Sequence, residues 1–284
     1  MNAVSHLLRG GLLYGMILLS MMPTPQNIPI IETRDLSKTY GRFVALRELN
    51  MSVPQGSVFA LMGANGAGKT TVIKILLNMI SPTRGRTTVL GVESRAMRPA
   101  IFENIGYVSE NQVLPLRLQV ADFFAYLRPL YTHWDRNLED ELRAQFFLPP
   151  KRKIGDLSHG MRMKIVLACA LPFRPKLLVL DEPLSGLDPL ARDELIGGFM
   201  RQAGETTILI SSHELDEVER FATHVGFLHE GRLLFQGSVD ALAEHARSLF
   251  EGGDIAKTER PSLRNIFVAM LRAARHASTD PALQ

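Results

Sequence analysis

The run Gly63-Ala64-Asn65-Gly66-Ala67-Gly68-Lys69-Thr70 constrains this chain more than any other segment. Its glycines, lysine and terminal hydroxyl have the spacing of a loop whose backbone amides cradle phosphates. Such a loop needs a strand before it and a helix after it, and both are predicted. Val58-Phe59-Ala60-Leu61-Met62 is apolar and of strand length, and Thr71 to Leu77 reads as a helix. The glycines permit a tight wrap, so that successive N–H groups and the helix N-terminus face phosphate oxygens. Lys69 would then reach the β- and γ-phosphates, and the Thr70 hydroxyl would hold Mg²⁺. The chain is therefore expected to be α/β and to bind a nucleoside triphosphate.

Three later segments narrow the chemistry. Leu177-Leu178-Val179-Leu180 is an apolar strand that ends in Asp181-Glu182-Pro183. A buried parallel strand delivers such acids to the carboxyl edge of the sheet, where ligands bind. Asp181 is placed to orient Mg²⁺ and its waters, and Glu182 to polarise an attacking water. Leu157-Ser158-His159-Gly160-Met161 is a turn opening an apolar helix. Thr207-Ile208-Leu209-Ile210 is a further strand, carrying Ser211-Ser212-His213-Glu214 at its end.

Together these segments, in this order, resemble the ATP-binding subunit of an ABC transporter over about residues 29 to 240. The resemblance implies a P-loop NTPase (RecA-like) core, an antiparallel β subdomain and an inserted α-helical subdomain at about 111–170. It makes Gly63 to Thr71 the Walker A loop and puts Tyr40 against adenine. Ser158 and Gly160 carry signature-motif donors to the γ-phosphate. Asp181 and Glu182 become the Walker B aspartate and catalytic glutamate, Ser185 to Pro189 the D-loop, and His213 the switch histidine. ATP and Mg²⁺ are the implied cofactors. The implied site is split: one protomer gives Lys69, Thr70, Asp181, Glu182 and His213, and a second ATP-binding subunit gives Ser158 and Gly160.

Two departures stand out. His159 and Met161 replace a glycine and a glutamine of the usual signature. After the strand Ile105 to Val108, the glutamine position falls on Glu110 by offset, with Gln112 as the alternative; a carboxylate there can still ligate Mg²⁺ or its water. Glu110, Met161-Arg162-Met163-Lys164, Tyr131 to Asp135 and Ser262 to Met270 all look like ABC-2-type exporters.

Composition excludes other classes. A formal net charge of +3 with no dense basic run gives no case for a nucleic-acid partner. A single cysteine, Cys169, rules out an internal disulfide and reads as a packed core thiol. The apolar run Gly11 to Met22 has 12 residues, where a spanning helix needs about 20. Residues 1–28 are an extension that reads as an over-extended start before Met21 or Met22, a peripheral membrane contact or a signal peptide, in that order. With no clear span in the chain, the permease is expected to be a separate subunit, and this subunit to sit on the cytoplasmic face of the membrane.

Residues 111–170 carry Phe123, Phe124, Tyr126, Tyr131 and Trp134. Most are expected in an ordinary helical core; the alternative is a groove for a short helix of the membrane partner. His133 reads as a surface residue. Two or three strands are expected from Ile30 to Val53, a hairpin about His229-Glu230-Gly231, helix over 238–272 and a mobile tail at 273–284. Residues 241–284 form a C-terminal extension. A soluble ABC ATPase acting on ribosomes or nucleic acid is the alternative function, but one cassette and no heptad run speak against it. A small-molecule kinase would need neither the Ser158 segment nor the D-loop.

Overall fold

The computed structural model describes residues 29–242 and 262–279, with side chains of the last helix described to 272. The N-terminal extension and its apolar run lie outside the described residues, as do 243–261 and the last residues of the tail. The β elements are β1 (Pro29–Tyr40), β2 (Phe43–Pro54), β3 (Val58–Met62), β4 (Arg84–Val89), β5 (Val92–Glu93), β6 (Ile105–Ser109), β7 (Leu177–Asp181), β8 (Thr207–Ser212), β9 (His224–His229) and β10 (Arg232–Ser238). The helices are α1 (Lys69–Leu76), α2 (Pro99–Phe102), α3 (Val120–Leu127), α4 (Arg136–Gln145), α5 (His159–Ala170), α6 (Pro189–Met200), α7 (Leu215–Val218) and α8 (Leu263–Thr279).

Two sheets form. One runs β2-β1-β4-β5 and is antiparallel. The other runs β10-β9-β3-β8-β7-β6, parallel except for the β9–β10 hairpin. β3, β7 and β8 are apolar on both faces because both are covered. Val58, Ala60, Met62, Leu178, Leu180, Ile208 and Ile210 face one core, shared with α5, α6 and α8. Phe59, Leu61, Leu177, Val179 and Leu209 face the other, shared with α1 and the antiparallel sheet. The mixed α/β architecture expected from the sequence is the one observed.

The register sets the site. Met62 pairs with Ser212, Asp181 with Ser211 and Ser109 with Asp181. The phosphate loop, Glu110, Glu182 and His213 therefore leave the sheet along one carboxyl edge, at one level.

Several boundaries differ from expectation. Leu49 to Val53 alternates in burial as expected, inside one long β2. The last helix continues to Thr279, past residue 272 where helix was expected to end. Ala273, Ala274 and Ala277 sustain the helix, since alanine loses least on entering one. Of the five aromatics of the helical unit, Phe124 is buried in the core, Phe123 and Trp134 are partly buried against it, and Tyr126 is exposed.

Candidate active site

The loop between β3 and α1 is shaped by its neighbours. A Cβ on Gly63 would lie 2.4 Å from the Leu228 carbonyl of β9, so no other residue fits there. Gly68 caps α1 with φ of 112°, a conformation other residues rarely adopt, and its Cβ would strike Leu46. The first N–H groups of α1 have no intrahelical acceptor and open into a cleft of about 250 Å³. Asn65, Gly66, Ala67, Gly68, Lys69, Thr70 and Thr71 line this cleft with Glu182. Tyr40 and Phe43, paired across the β1–β2 turn, form its other wall. Tyr40 is 46% exposed, an open ring face beside the loop. Phe43 and Ala45 were not singled out in the sequence.

Lys69 is 6% exposed, and its ammonium donates to the Gly63 carbonyl at 2.6 Å and the Ala64 carbonyl at 3.2 Å. The same nitrogen lies 2.9 Å from Glu182 Oε1. The other Glu182 oxygen lies 2.9 Å from His213 Nδ1. Glu182 itself sits at φ of 50°, strained for a residue with a Cβ. Its N–H donates to Ser211 Oγ at 3.0 Å, which holds that conformation.

Asp181 is 5% exposed. Ser211 Oγ donates to its Oδ1 at 2.7 Å and Thr70 Oγ1 at 3.2 Å. Burial pushes its carboxyl above the ordinary range; the two hydroxyls and Lys69 pull it back in part, and Glu182 adds to the rise. This carboxylate lacks a full positive partner. Among the described residues no cluster of three or more histidine, cysteine or acidic groups could hold a metal alone. Mg²⁺ does not need one, since it is held by one or two carboxylates with substrate phosphates and water. Thr70 and Asp181 offer hard oxygens at the right place for that role.

A second cleft of about 330 Å³ adjoins, lined by Thr70, Lys74, Glu110, Gln112, Asp181 and Glu182 among others. Gln112 turns its side-chain carbonyl back to accept from Ser109 N–H at 3.4 Å, while Glu110 N–H donates to the Asp181 carbonyl at 3.2 Å.

The structure does not bring Ser158 and Gly160 to either cleft. Ser158 caps α5, its hydroxyl accepting from Met161 N–H at 3.2 Å, and is exposed. Gly160 is packed on α6, where a Cβ would lie 3.0 Å from that of Ala191. His159 points to the Ser185 carbonyl at 3.4 Å. His133 is exposed and Cys169 is buried, as the sequence suggested. Ser211 was quoted in the sequence but given no part. Its place one strand away from Asp181, on the same edge, is the signal that could have marked it.

An ABC transporter family model matches residues 46–185. The chain is 36% identical to the bacitracin transport ATP-binding protein BcrA of Bacillus licheniformis, over 78% of this chain and 74% of the relative. It is 34% identical to the lantibiotic transport ATP-binding protein SrtF of Streptococcus pyogenes, over 78% of this chain and 96% of the relative. A solved ATP-binding subunit of an ABC transporter superposes with a TM-score of 0.74 at 28% identity, covering 85% of this chain and 99% of that one. Shared residues over nearly the whole length of such a subunit, on a shared fold, settle the family: the chain is a member of the ABC transporter ATP-binding proteins, and an ATPase.

Proposed function

We propose that the chain powers export by a separate membrane permease, through ATP-driven pairing of two such subunits. The observation that carries this is the division of its polar groups. Lys69, Thr70, Asp181, Glu182 and His213 meet at one cleft, while Ser158 and Gly160 stand apart from it with nothing of their own to act on. A second subunit would bring its Ser158 and Gly160 over the cleft, and receive the same in return.

In this reading ATP lies with adenine against Tyr40 and its phosphates along Gly63 to Thr71. Thr70 and Asp181 would hold Mg²⁺, which would offset phosphate charge, with Glu110 as a further oxygen donor lining the same cleft. We take Glu110 over Gln112 because the Gln112 carbonyl is engaged by Ser109. A γ-phosphate gives Lys69 a new partner and releases Glu182 from the ammonium. Glu182 is then free to orient and deprotonate water, with His213 fixing its other oxygen. Phosphoryl transfer asks for such positioning and charge stabilisation more than for covalent chemistry.

The permease contact is assigned to the helical unit. Two adjoining cavities, of about 320 and 510 Å³, share Tyr131 and Phe173, whose rings stack with centroids 4.2 Å apart. Phe102, Phe123, Leu127 and Trp134 extend this apolar wall, a form suited to a short amphipathic helix. Among the described residues no helix is long and apolar enough to cross a membrane. In this reading the subunit sits at the cytoplasmic face, held by the permease. The ATP-binding domain is taken as 29–240, its helical subdomain as 111–170 and its extension as 241–284. The relatives' names include bacitracin and lantibiotic transport, and a cargo of that kind fits the export reading.

The test mixes two inactive variants. Ser158→Arg blocks the donated half and Lys69→Ala the receiving half. In a mixed pair both lesions fall in one composite site and the other is intact. ATPase activity above either variant alone is expected; none above them would count against the split site.

A further inference from the structure

Arg192, near the start of α6, lies at a junction that the chemistry above does not use. Its guanidinium reaches both oxygens of Glu214, at 3.1 and 3.4 Å, and also pairs with Glu217. Nη2 further donates to the Leu187 carbonyl at 3.4 Å. One side chain therefore ties three segments: the D-loop at Leu187, the residue after His213, and α7. Glu214 is itself fixed, because its N–H donates to Ser212 Oγ at 3.0 Å. Between these two anchors stands His213, whose Nδ1 meets Glu182 Oε2 at 2.9 Å. Asp193 of α6 and Arg220, just past α7, lie 3.2 Å apart and add a further tie beside it.

We propose that Arg192 is a positioning residue for hydrolysis. It makes the D-loop and the backbone behind His213 one rigid unit, so that displacement of Ser185 to Asp188 alters the His213–Glu182 contact. A guanidinium suits the task, since its planar fork can grip two carboxylates and a carbonyl at once. The proposal rests on the assignment of His213 and Glu182 made above.

The test uses the full chain with Mg²⁺ and ATP. Arg192→Met keeps the aliphatic stem and removes the fork. The expected result is a fall in kcat of about 10²-fold, the scale of a small misplacement of a reacting group. KM and the ATP dissociation constant should stay within about twofold, since Arg192 lines neither cleft. Arg192→Lys should recover part of the loss. His213→Ala is measured alongside. If it loses turnover while Arg192→Met keeps it, the clamp is overturned and the histidine assignment stands; if His213→Ala keeps turnover, both fall. A merely structural arginine would lower Tm and the active fraction, with kcat per ATP-bound molecule unchanged, and that result also overturns the proposal. Should Arg192→Met fail to fold, Glu214→Gln removes one arm at constant volume; unchanged kcat there overturns it equally.

Discussion

Asp181 and Glu139 are both buried carboxylates, at 5% and 1% exposure, and they titrate in opposite directions. Glu139 sits on α4 among cations. Arg128 donates two bonds to it, at 2.7 and 2.6 Å, Trp134 Nε1 one at 2.8 Å and Arg143 one at 3.3 Å. Burial would raise its carboxyl, but the Arg128 fork, the Trp134 N–H and the neighbouring charges outweigh that and hold it below the ordinary range. Asp181 has two hydroxyls and one more distant ammonium, so burial wins and its carboxyl is raised. Glu139 is a finished structural joint, with more donors than it needs. Asp181 is less compensated, as the proposed Mg²⁺ role would require. Undercompensation, more than burial, separates a site from a brace.

The comparison breaks most readily at Glu182. Glu182→Gln should retain ATP binding and lose turnover by about 10²–10⁴-fold, the usual worth of a general base. Near-normal steady-state ATPase in this variant would remove Glu182 from the chemistry and leave the unfinished cluster without a purpose.

Glu139→Gln should destabilise the fold by about 2–3 kcal/mol, because two guanidinium groups stay half-buried without their counter-charge. Urea unfolding measures this. Since the folded carboxyl titrates below its unfolded value, its contribution is present above the unfolded pKa and is lost as pH falls through the folded one. The gap between wild type and Glu139→Gln should therefore close in acid below about pH 4. A gap that persists there would mean that charge is not what Glu139 supplies.

Asp181→Asn should act with the opposite sign. A raised carboxyl opposes folding when charged, and a neutral amide removes that term. The nucleotide-free variant should melt slightly above wild type, by about 1–3 °C. It should also lose the additional Tm gain that Mg²⁺ gives in the presence of ATP. A lower Tm without nucleotide would show that Asp181 is as well compensated as Glu139.

The frame of the molecule was legible because its motifs sit at strand ends. Val58 to Met62, Leu177 to Asp181 and Thr207 to Ser212 are short apolar runs with chemistry-bearing residues directly after them. Parallel register does the rest, bringing Lys69, Asp181, Glu182 and His213 together. What could not be read were pairings set by packing alone. The Arg192–Glu214 clamp spans 22 residues of sequence and the Ser211–Asp181 bond 30, with no local pattern to announce either. Glu182 at positive φ was equally silent, because its conformation is imposed by Ser211 and the strand end. The aromatic residues were legible in part: Phe124 is buried and Phe123 and Trp134 pack against the core, whereas Tyr126 is exposed.

Cys169 gives the helical unit a built-in reporter. Its thiol is the chain's single cysteine, is buried, and lines the wall of the groove assigned to the permease. Burial pushes its pKa well above the ordinary value, so in the closed state it offers an alkylating reagent almost no thiolate. Modification then proceeds through moments when α5 lifts from its neighbours, and its rate counts those openings. A helix seated in the groove would lengthen the interval between them. Mass spectrometry can thus time the occupancy of the docking surface on native protein, without a fluorophore or an added residue.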